Sequence, residues 1–305
     1  MDLYGYFYKL VMQIPPGRVS TYGALARALG DIRASRACGV MLSQNPDPPR
    51  IPCHRVVMSD GSLGGFTHPE GVKRKMELLR GEGVKIENGK IKNFSEFFFD
   101  DFRTDFPLKK LREEQKALRE KIVIEDDFHC DLVGGVDVSY SGRYAYGALV
   151  IMNENFEIVE LVKDKFIVNF PYIPTYLAFR EGPIISSLVK RSRNNFILMV
   201  DGNGILHPLG IGLASHVGVS NNLPTMGVAK NLLLGKVEGG NILIDGRIVG
   251  KYLKSGIKRG IYISPGHRVS LKSSEFIVKK FLKYKNPEPL RIAHMMANEF
   301  RRDNK

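Results

Sequence analysis

Cys53 and His54 stand side by side in Pro52-Cys53-His54-Arg55-Val56, and a thiol next to an imidazole can be a nucleophile beside its base. Attack needs the thiolate, which a neighbouring imidazole or a helix N-terminus can supply. The dipeptide alone also fits a buried structural cysteine with an unrelated histidine next to it. A second chemistry is written in carboxylates. Asp137 sits in the middle of the apolar stretch Leu132 to Tyr140, and Asp201 closes Ile197-Leu198-Met199-Val200. An unpaired carboxylate among apolar neighbours is costly. Each acid is therefore either hydrogen-bonded to backbone or placed to hold a cation. If the two strands neighbour each other, the acids converge on one hard ion such as Mg²⁺. Phosphodiester hydrolysis needs such an ion to generate hydroxide and to neutralise the phosphate.

The elements that position these groups follow from periodicity. Tyr22 to Leu29 reads as a helix capped by Ser20/Thr21 and ended by Gly30. A second helix is expected from about Arg33 to Ser43, stopped by Asn45-Pro46-Asp47-Pro48-Pro49. The pair forms a helix-turn-helix, whose second helix usually meets DNA. Lys73 to Arg80 reads as a helix with a basic face, and Phe106 to Val123 as an amphipathic one. Leu132 to Tyr140 reads as a strand, with Tyr144 to Met152 and Phe156 to Lys165 as a hairpin around Asn153-Glu154-Asn155. A helix over Glu181 to Ser192 and a buried strand over Phe196 to Val200 complete an α/β pattern. Three antiparallel strands, a helix and a strand are similar to the ribonuclease-H-like mixed sheet.

Around Cys53 stand Val19-Ser20-Thr21-Tyr22-Gly23-Ala24-Leu25-Ala26, Ser35-Arg36-Ala37-Cys38-Gly39, Asn45-Pro46, Gly64-Gly65-Phe66 and Leu78-Leu79-Arg80-Gly81-Glu82-Gly83. In that order they resemble the active-site domain of O6-alkylguanine-DNA alkyltransferases, a winged-helix-like fold, over roughly the first ninety residues. The resemblance implies that Cys53 accepts the alkyl group, that His54 draws the thiol proton through a water, and that Glu82 orients His54. It further implies that Asn45 braces the turn presenting Cys53, Tyr22 protonates the departing base, and Arg36 fills the gap left by the flipped nucleotide. A thioether is inert, so each molecule acts once, and no cofactor enters. Phe66 stands where Tyr is common in that family.

From about Phe106 onward the chain resembles endonuclease V. The resemblance rests on Pro171-Tyr172-Ile173-Pro174, Ala178-Phe179-Arg180-Glu181-Gly182-Pro183 and Val200-Asp201-Gly202-Asn203-Gly204. His207-Pro208, Ala214-Ser215-His216, Gly227-Val228-Ala229-Lys230 and Ser264-Pro265-Gly266-His267-Arg268 agree with it. It implies nicking one phosphodiester beyond a deaminated base, chiefly hypoxanthine, on the 3′ side. Asp137, Glu181 and Asp201 carry over as acids for Mg²⁺ or Mn²⁺, His267 as a group near the metal, and Lys230 as the cation at the scissile phosphate. Tyr172 carries over as a strand-parting wedge, and Gly202 and Leu233 as neighbours of the lesion pocket. His207 and His216 read as structural hydrogen-bonding groups. Thr175 stands where Gly is usual, and Leu209 where Arg is frequent.

The two resemblances imply a double-stranded DNA partner carrying alkylated guanine or deaminated purine, and the bulk properties agree with a polyanionic partner. The 305 residues favour two domains, and a formal net charge of +13 suggests a polyanionic partner. Residues 1–92 hold 14 Lys/Arg against 8 Asp/Glu, and 106–305 hold 30 against 20. Between them, 93–105 carries one Arg against four acids among aromatic residues, an expected linker that packs on a domain. Three cysteines without metal or disulfide spacing suit a reducing cytoplasm. No run approaches a membrane span. The expectation is a bifunctional, cytoplasmic DNA-repair protein with no membrane partner. The alternative is a lesion-recognition or regulatory DNA-binding module fused to an inosine-directed ribonuclease, with inosine-containing RNA as partner.

Overall fold

The computed structural model describes residues 1–255 and 260–304. Two units partition the chain: residues 1–112 with 169–174, and residues 113–168 with 175–305.

In the first unit, α1 (Leu3–Val11) begins at Asp2, whose carboxylate accepts the Gly5 N–H at 3.0 Å. A two-residue strand, β1 (Ser20–Thr21), pairs in parallel with β2 (Val56–Val57). Thr21 ends β1 and caps α2 (Tyr22–Leu29), its hydroxyl accepting the Ala24 N–H at 3.0 Å. Gly30 closes α2 at φ 105°, a conformation glycine takes without strain. A 3₁₀ turn over Ile32–Ala34 follows, capped by the Asp31 carboxylate. That turn delays the second helix, α3 (Ser35–Ser43), two residues past its expected start. Further on come α4 (Gly71–Gly81), the hairpin β3 (Ile86–Glu87) and β4 (Lys90–Ile91), and α5 (Phe94–Phe97). Val19, Val57, Leu63, Leu79, Val84 and Ile91 form the core beneath them. The acidic aromatic stretch lies inside this unit, because Phe97 C=O and Phe99 N–H both pair with Val19, at 2.8 Å each. Helix α6 spans Pro107–Arg119, shorter at both ends than its periodicity predicts.

The second unit is built on a nine-stranded mixed sheet among the described residues. Its strands are β5 (Val133–Ser141), β6 (Tyr144–Met152), β7 (Ile158–Ile167), β8 (Ile197–Asp201), β9 (Thr225–Ala229), β10 (Lys236–Glu238), β11 (Asn241–Ile244), β12 (Arg247–Lys254) and β13 (Gly260–His267). In space they run β10-β11-β12-β13-β9-β8-β5-β6-β7. β5, β6 and β7 are antiparallel, while β8 lies parallel to both β5 and β9. This is the mixed α/β sheet expected from the strand order. Residues alternate between its faces. Leu198 and Val200 pack on one face with residues of α7 (Leu177–Arg191) and α8 (Leu213–Asn221). Ile197 and Met199 pack on the other with residues of α9 (Leu271–Phe281) and α10 (Glu288–Asp303). Burial on both faces explains the near-continuous apolar runs. β7 forms one open edge, with Lys163 and Lys165 exposed along it.

Candidate active sites

In the first unit the chain leaves α3, turns through Asn45, and returns as a 3₁₀ turn over Cys53–Arg55 that feeds β2. Asn45 Nδ2 donates to the Ile51 carbonyl at 2.9 Å, and its Oδ1 accepts the Asp47 N–H at 3.0 Å. Cys53 opens onto a cavity of about 310 Å³ that Tyr22, Gly39, Asn45, Phe66 and His68 also line. His54 is 3% exposed, and its Nε2 lies 2.8 Å from Glu82 Oε1. Burial pushes the imidazole below its ordinary value, more strongly than Glu82 pulls it up. Glu82 would itself be raised by burial; hydrogen bonds from Arg55 and His54 outweigh that and hold it down. Burial, with the charges of Cys53 and Cys38, raises the Tyr22 phenol, which keeps its proton. Arg36 stands exposed on α3 and outside the cavity lining.

Two cations of this site went unrecognised in the sequence. Arg55 grips Glu82 with Nε at 3.0 Å and Nη2 at 2.7 Å, and donates to the Ile14 carbonyl at 2.7 Å. Lys75, expected on a basic face, is 1% exposed and donates to the Val56 and Leu63 carbonyls at 2.6 Å each. Burial pushes its ammonium down to about 8. Position in the Pro-Cys-His-Arg run was the only available signal for Arg55. A lysine at the apolar spacing of α4 was the signal for Lys75.

In the second unit, Val136 pairs with Val200, so the carboxylates one residue later fall at the same end of adjacent parallel strands. Alternation points Asp137 and Asp201 to the face of α10. Desolvation raises the Asp137 carboxyl and the Asp201 charge adds to it. Lys230, just past β9, hydrogen-bonds Asp201. Partial burial alone would lower that ammonium, but Asp201 and Asp137 raise it. Glu181 reaches in from α7 and accepts the Tyr140 hydroxyl at 2.9 Å. Burial, with the Asp137 and Asp201 charges, pushes Glu181 up to about 7. Arg180 stacks over the Tyr140 ring at 4.2 Å.

The histidine beside these acids is His294, not His267. His294, on α10, holds Nδ1 2.6 Å from Asp137 Oδ2. His267 pairs with Thr225, which itself pairs with Leu198 at the far end of β8. Asp201 lies three residue steps along the strand from Leu198, about 10 Å. His267 Nδ1 accepts the Val123 N–H instead, at 3.2 Å. His207 Nδ1 accepts the Leu209 N–H at 3.2 Å. His216 departs from expectation, since its buried Nδ1 has no partner among the described residues and its ring sits edge-on to Phe179. Tyr172 is 62% exposed within the segment grouped with the first unit, and Leu233 is 49% exposed. Gly202 N–H donates to the Val228 carbonyl at 3.3 Å, beside Asp201. Thr175 takes φ 70°, a strained conformation for a β-branched residue and the reason glycine suits that position. Arg119 packs on Gly210, next to the neutral Leu209.

Family comparison decides what these two sites belong to. Residues 2–84 match the model of the 6-O-methylguanine DNA methyltransferase DNA-binding domain. Residues 116–295 match that of endonuclease V. A bifunctional methyltransferase/endonuclease of Picrophilus torridus is 43% identical over 305 residues, covering 100% of this chain and 98% of its own. This chain belongs to the bifunctional methyltransferase/endonuclease family. Its Thermoplasma volcanium counterpart is 42% identical, over 97% of this chain and 89% of its own. The endonuclease half also matches the crystal structure of Ciona intestinalis endonuclease V in complex with a 24mer DNA containing an inosine followed by a ribo-adenosine. That match has a TM-score of 0.60 and 29% identity, over 66% of this chain and 100% of that one. The molecule is thus a DNA-repair enzyme with a methyltransferase half carrying Cys53 and an endonuclease half carrying Asp137 and Asp201. Among the described residues no helix is long and apolar enough to cross a membrane.

Proposed function

We propose that the methyltransferase half transfers the alkyl group of O6-alkylguanine to Cys53, once per molecule. The contact that carries this reading is His54 on Glu82 at 2.8 Å, directly after a thiol that opens into a cavity. His54, kept neutral by burial, takes the thiol proton through a water. The sulfur then bonds the alkyl carbon as the carbon–O6 bond breaks, and the electron pair stays on guanine. Tyr22 gives its proton to the departing base. The cavity lies on the protein, so the base must leave the DNA stack to reach it. Exposed Arg36 on α3 is suited to hold the vacated place.

The endonuclease half nicks DNA on the 3′ side of a deaminated base, chiefly hypoxanthine. What supports this is the Val136–Val200 register, which sets Asp137 and Asp201 side by side. The donors suit a hard divalent cation: all are carboxylate oxygens, and Asp137 and Glu181 are both raised by burial first and then by neighbouring negative charge. Asp137, Asp201 and Glu181 would hold Mg²⁺ or Mn²⁺, which supplies positive charge against the phosphate and acidifies the attacking water. Lys230 moves from Asp201 to the scissile phosphate as substrate enters. Exposed Tyr172 parts the strands, and Leu233 and Gly202 border the flipped base. The 24mer DNA in complex with the Ciona relative carries a ribo-adenosine after its inosine, so matched inosine RNA is a second candidate substrate.

One oligonucleotide carrying both O6-methylguanine and deoxyinosine tests the whole reading. With Mg²⁺ the protein should gain one methyl and the DNA one nick; with chelator, the methyl alone. Protein that gains no mass sinks the first half, and DNA left intact with Mg²⁺ sinks the second.

A further inference from the structure

Behind Asp137 the endonuclease half carries a hydrogen-bonded relay that the nicking chemistry has not used. His294 and Asn298 lie one turn apart on α10, so both side chains face one neighbour. Asp137 and Ser139 lie two residues apart on β5, so they share a sheet face. Asn298 Nδ2 is 2.9 Å from the His294 carbonyl oxygen and 3.1 Å from His294 Nε2. An amide nitrogen only donates and a carbonyl oxygen only accepts. Turning the amide over would set two acceptors against each other, so its orientation is fixed. In that orientation Asn298 Oδ1 accepts the Ser139 hydroxyl at 2.9 Å. Nε2 of His294 then receives a hydrogen bond and must carry a lone pair. The ring proton is left on Nδ1, 2.6 Å from Asp137 Oδ2.

We propose that Asn298, supported by Ser139, is a positioning residue that fixes the ring orientation of His294, with Nδ1–H presented to Asp137 and Nε2 turned to the Asn298 amide. A histidine beside a carboxylate can swivel or exchange its tautomer. Partners on its far nitrogen remove that freedom, as they do for histidines around metal sites. Asp137 thereby keeps one oxygen engaged and one orientation. The effect on nicking rests on the endonuclease reading above; the tautomer itself does not.

Asn298→Asp is the sharpest test, because it keeps the shape and replaces the donor facing Nε2 with an acceptor. ¹⁵N-histidine spectra of the full-length, metal-free protein report the tautomer directly, with His294 assigned from its absence in His294→Asn. Wild type should show the Nδ1–H form. Asn298→Asp should convert it to the Nε2–H or doubly protonated form, and Asn298→Ala should give a mixture. Unchanged signals from buried His207 and His216 show that the unit is intact. In single-turnover nicking of deoxyinosine DNA, Asn298→Asp should be at least tenfold slower at saturating DNA, with unchanged substrate affinity. Three results would overturn the proposal: an Nε2–H tautomer in wild type, a tautomer change without a rate change, or a slower rate with the tautomer retained. Wild-type protein that shows the Nδ1–H form and fails to nick would count against the endonuclease reading alone.

Discussion

Cys53 and Cys38 carry the same thiol in opposite settings. Cys38 is fully buried, and burial pushes its thiol far up. Cys53 faces a cavity with a base beside it. Cys53→Ala should therefore abolish alkyl transfer outright. Tryptic mass spectrometry of wild type after reaction should place the methyl on the Cys53 peptide; a methyl on Cys38 would refute the assignment. The pH dependence follows from His54. Its folded value is lowered from 6.5, chiefly by burial, so the neutral base survives acidification past the ordinary histidine range. Alkyl-transfer rate should hold as pH falls through 6.5 and drop only below it. Stability has the same sign: the unfolded chain binds this proton first, so the protein loses stability as pH falls below 6.5. A transfer rate that halves at or above pH 6.5 would remove His54 as the base.

At the scale of elements, α10 is what completes the endonuclease site, and a glycine admits it. A Cβ at Gly135 would lie 2.2 Å from the Pro289 carbonyl carbon, at the start of that helix. Backbone cannot yield as a flexible side chain does. Gly135→Ala should thus push α10 off β5, cost about 1–3 kcal/mol, and slow nicking by tenfold or more. Methyl uptake at Cys53 should persist. A melting curve beside both assays checks this, and full nicking activity would contradict it. The same helix marks the limit of what the sequence discloses. Cys53 and His54 were legible because their neighbours are local and distinctive, whereas Glu82, 28 positions from His54, came only through the family resemblance. Asp137 and Asp201 were legible because a charge inside an apolar run is anomalous. His294 was not, since it reaches Asp137 across 157 positions, and an exposed histidine on an amphipathic helix carries no mark. His267 sat in a more conspicuous run, yet strand register sends it to the other end of the sheet. The 3₁₀ turn before α3 was also missed, because capping by Asp31 involves no change of hydrophobic period.

Taken whole, the molecule holds two reactions that share no reagent. On the reading proposed above, one would use a thiol, a base and an orienting acid, and the other carboxylates and a divalent cation. Asp201→Asn keeps the shape and removes a ligand charge, so it should stop nicking while methyl uptake continues. Cys53→Ser should do the reverse. A folded Cys53→Ser protein unable to nick would show the halves to be coupled. The open edge of the large sheet bears on a different hazard. At the other edge β10 has only three residues, whereas β7 offers ten, with Ile158, Leu161 and Ile167 exposed. Such an edge is a template for adding strands from other molecules. Lys163 and Lys165 interrupt it, and their ammonium groups lie over the rings of Phe300 and Tyr144. They act as gatekeepers against aggregation. Replacing both by valine should leave the fold intact yet make light scattering climb with concentration, because two like charges no longer keep one chain's edge from growing onto the next.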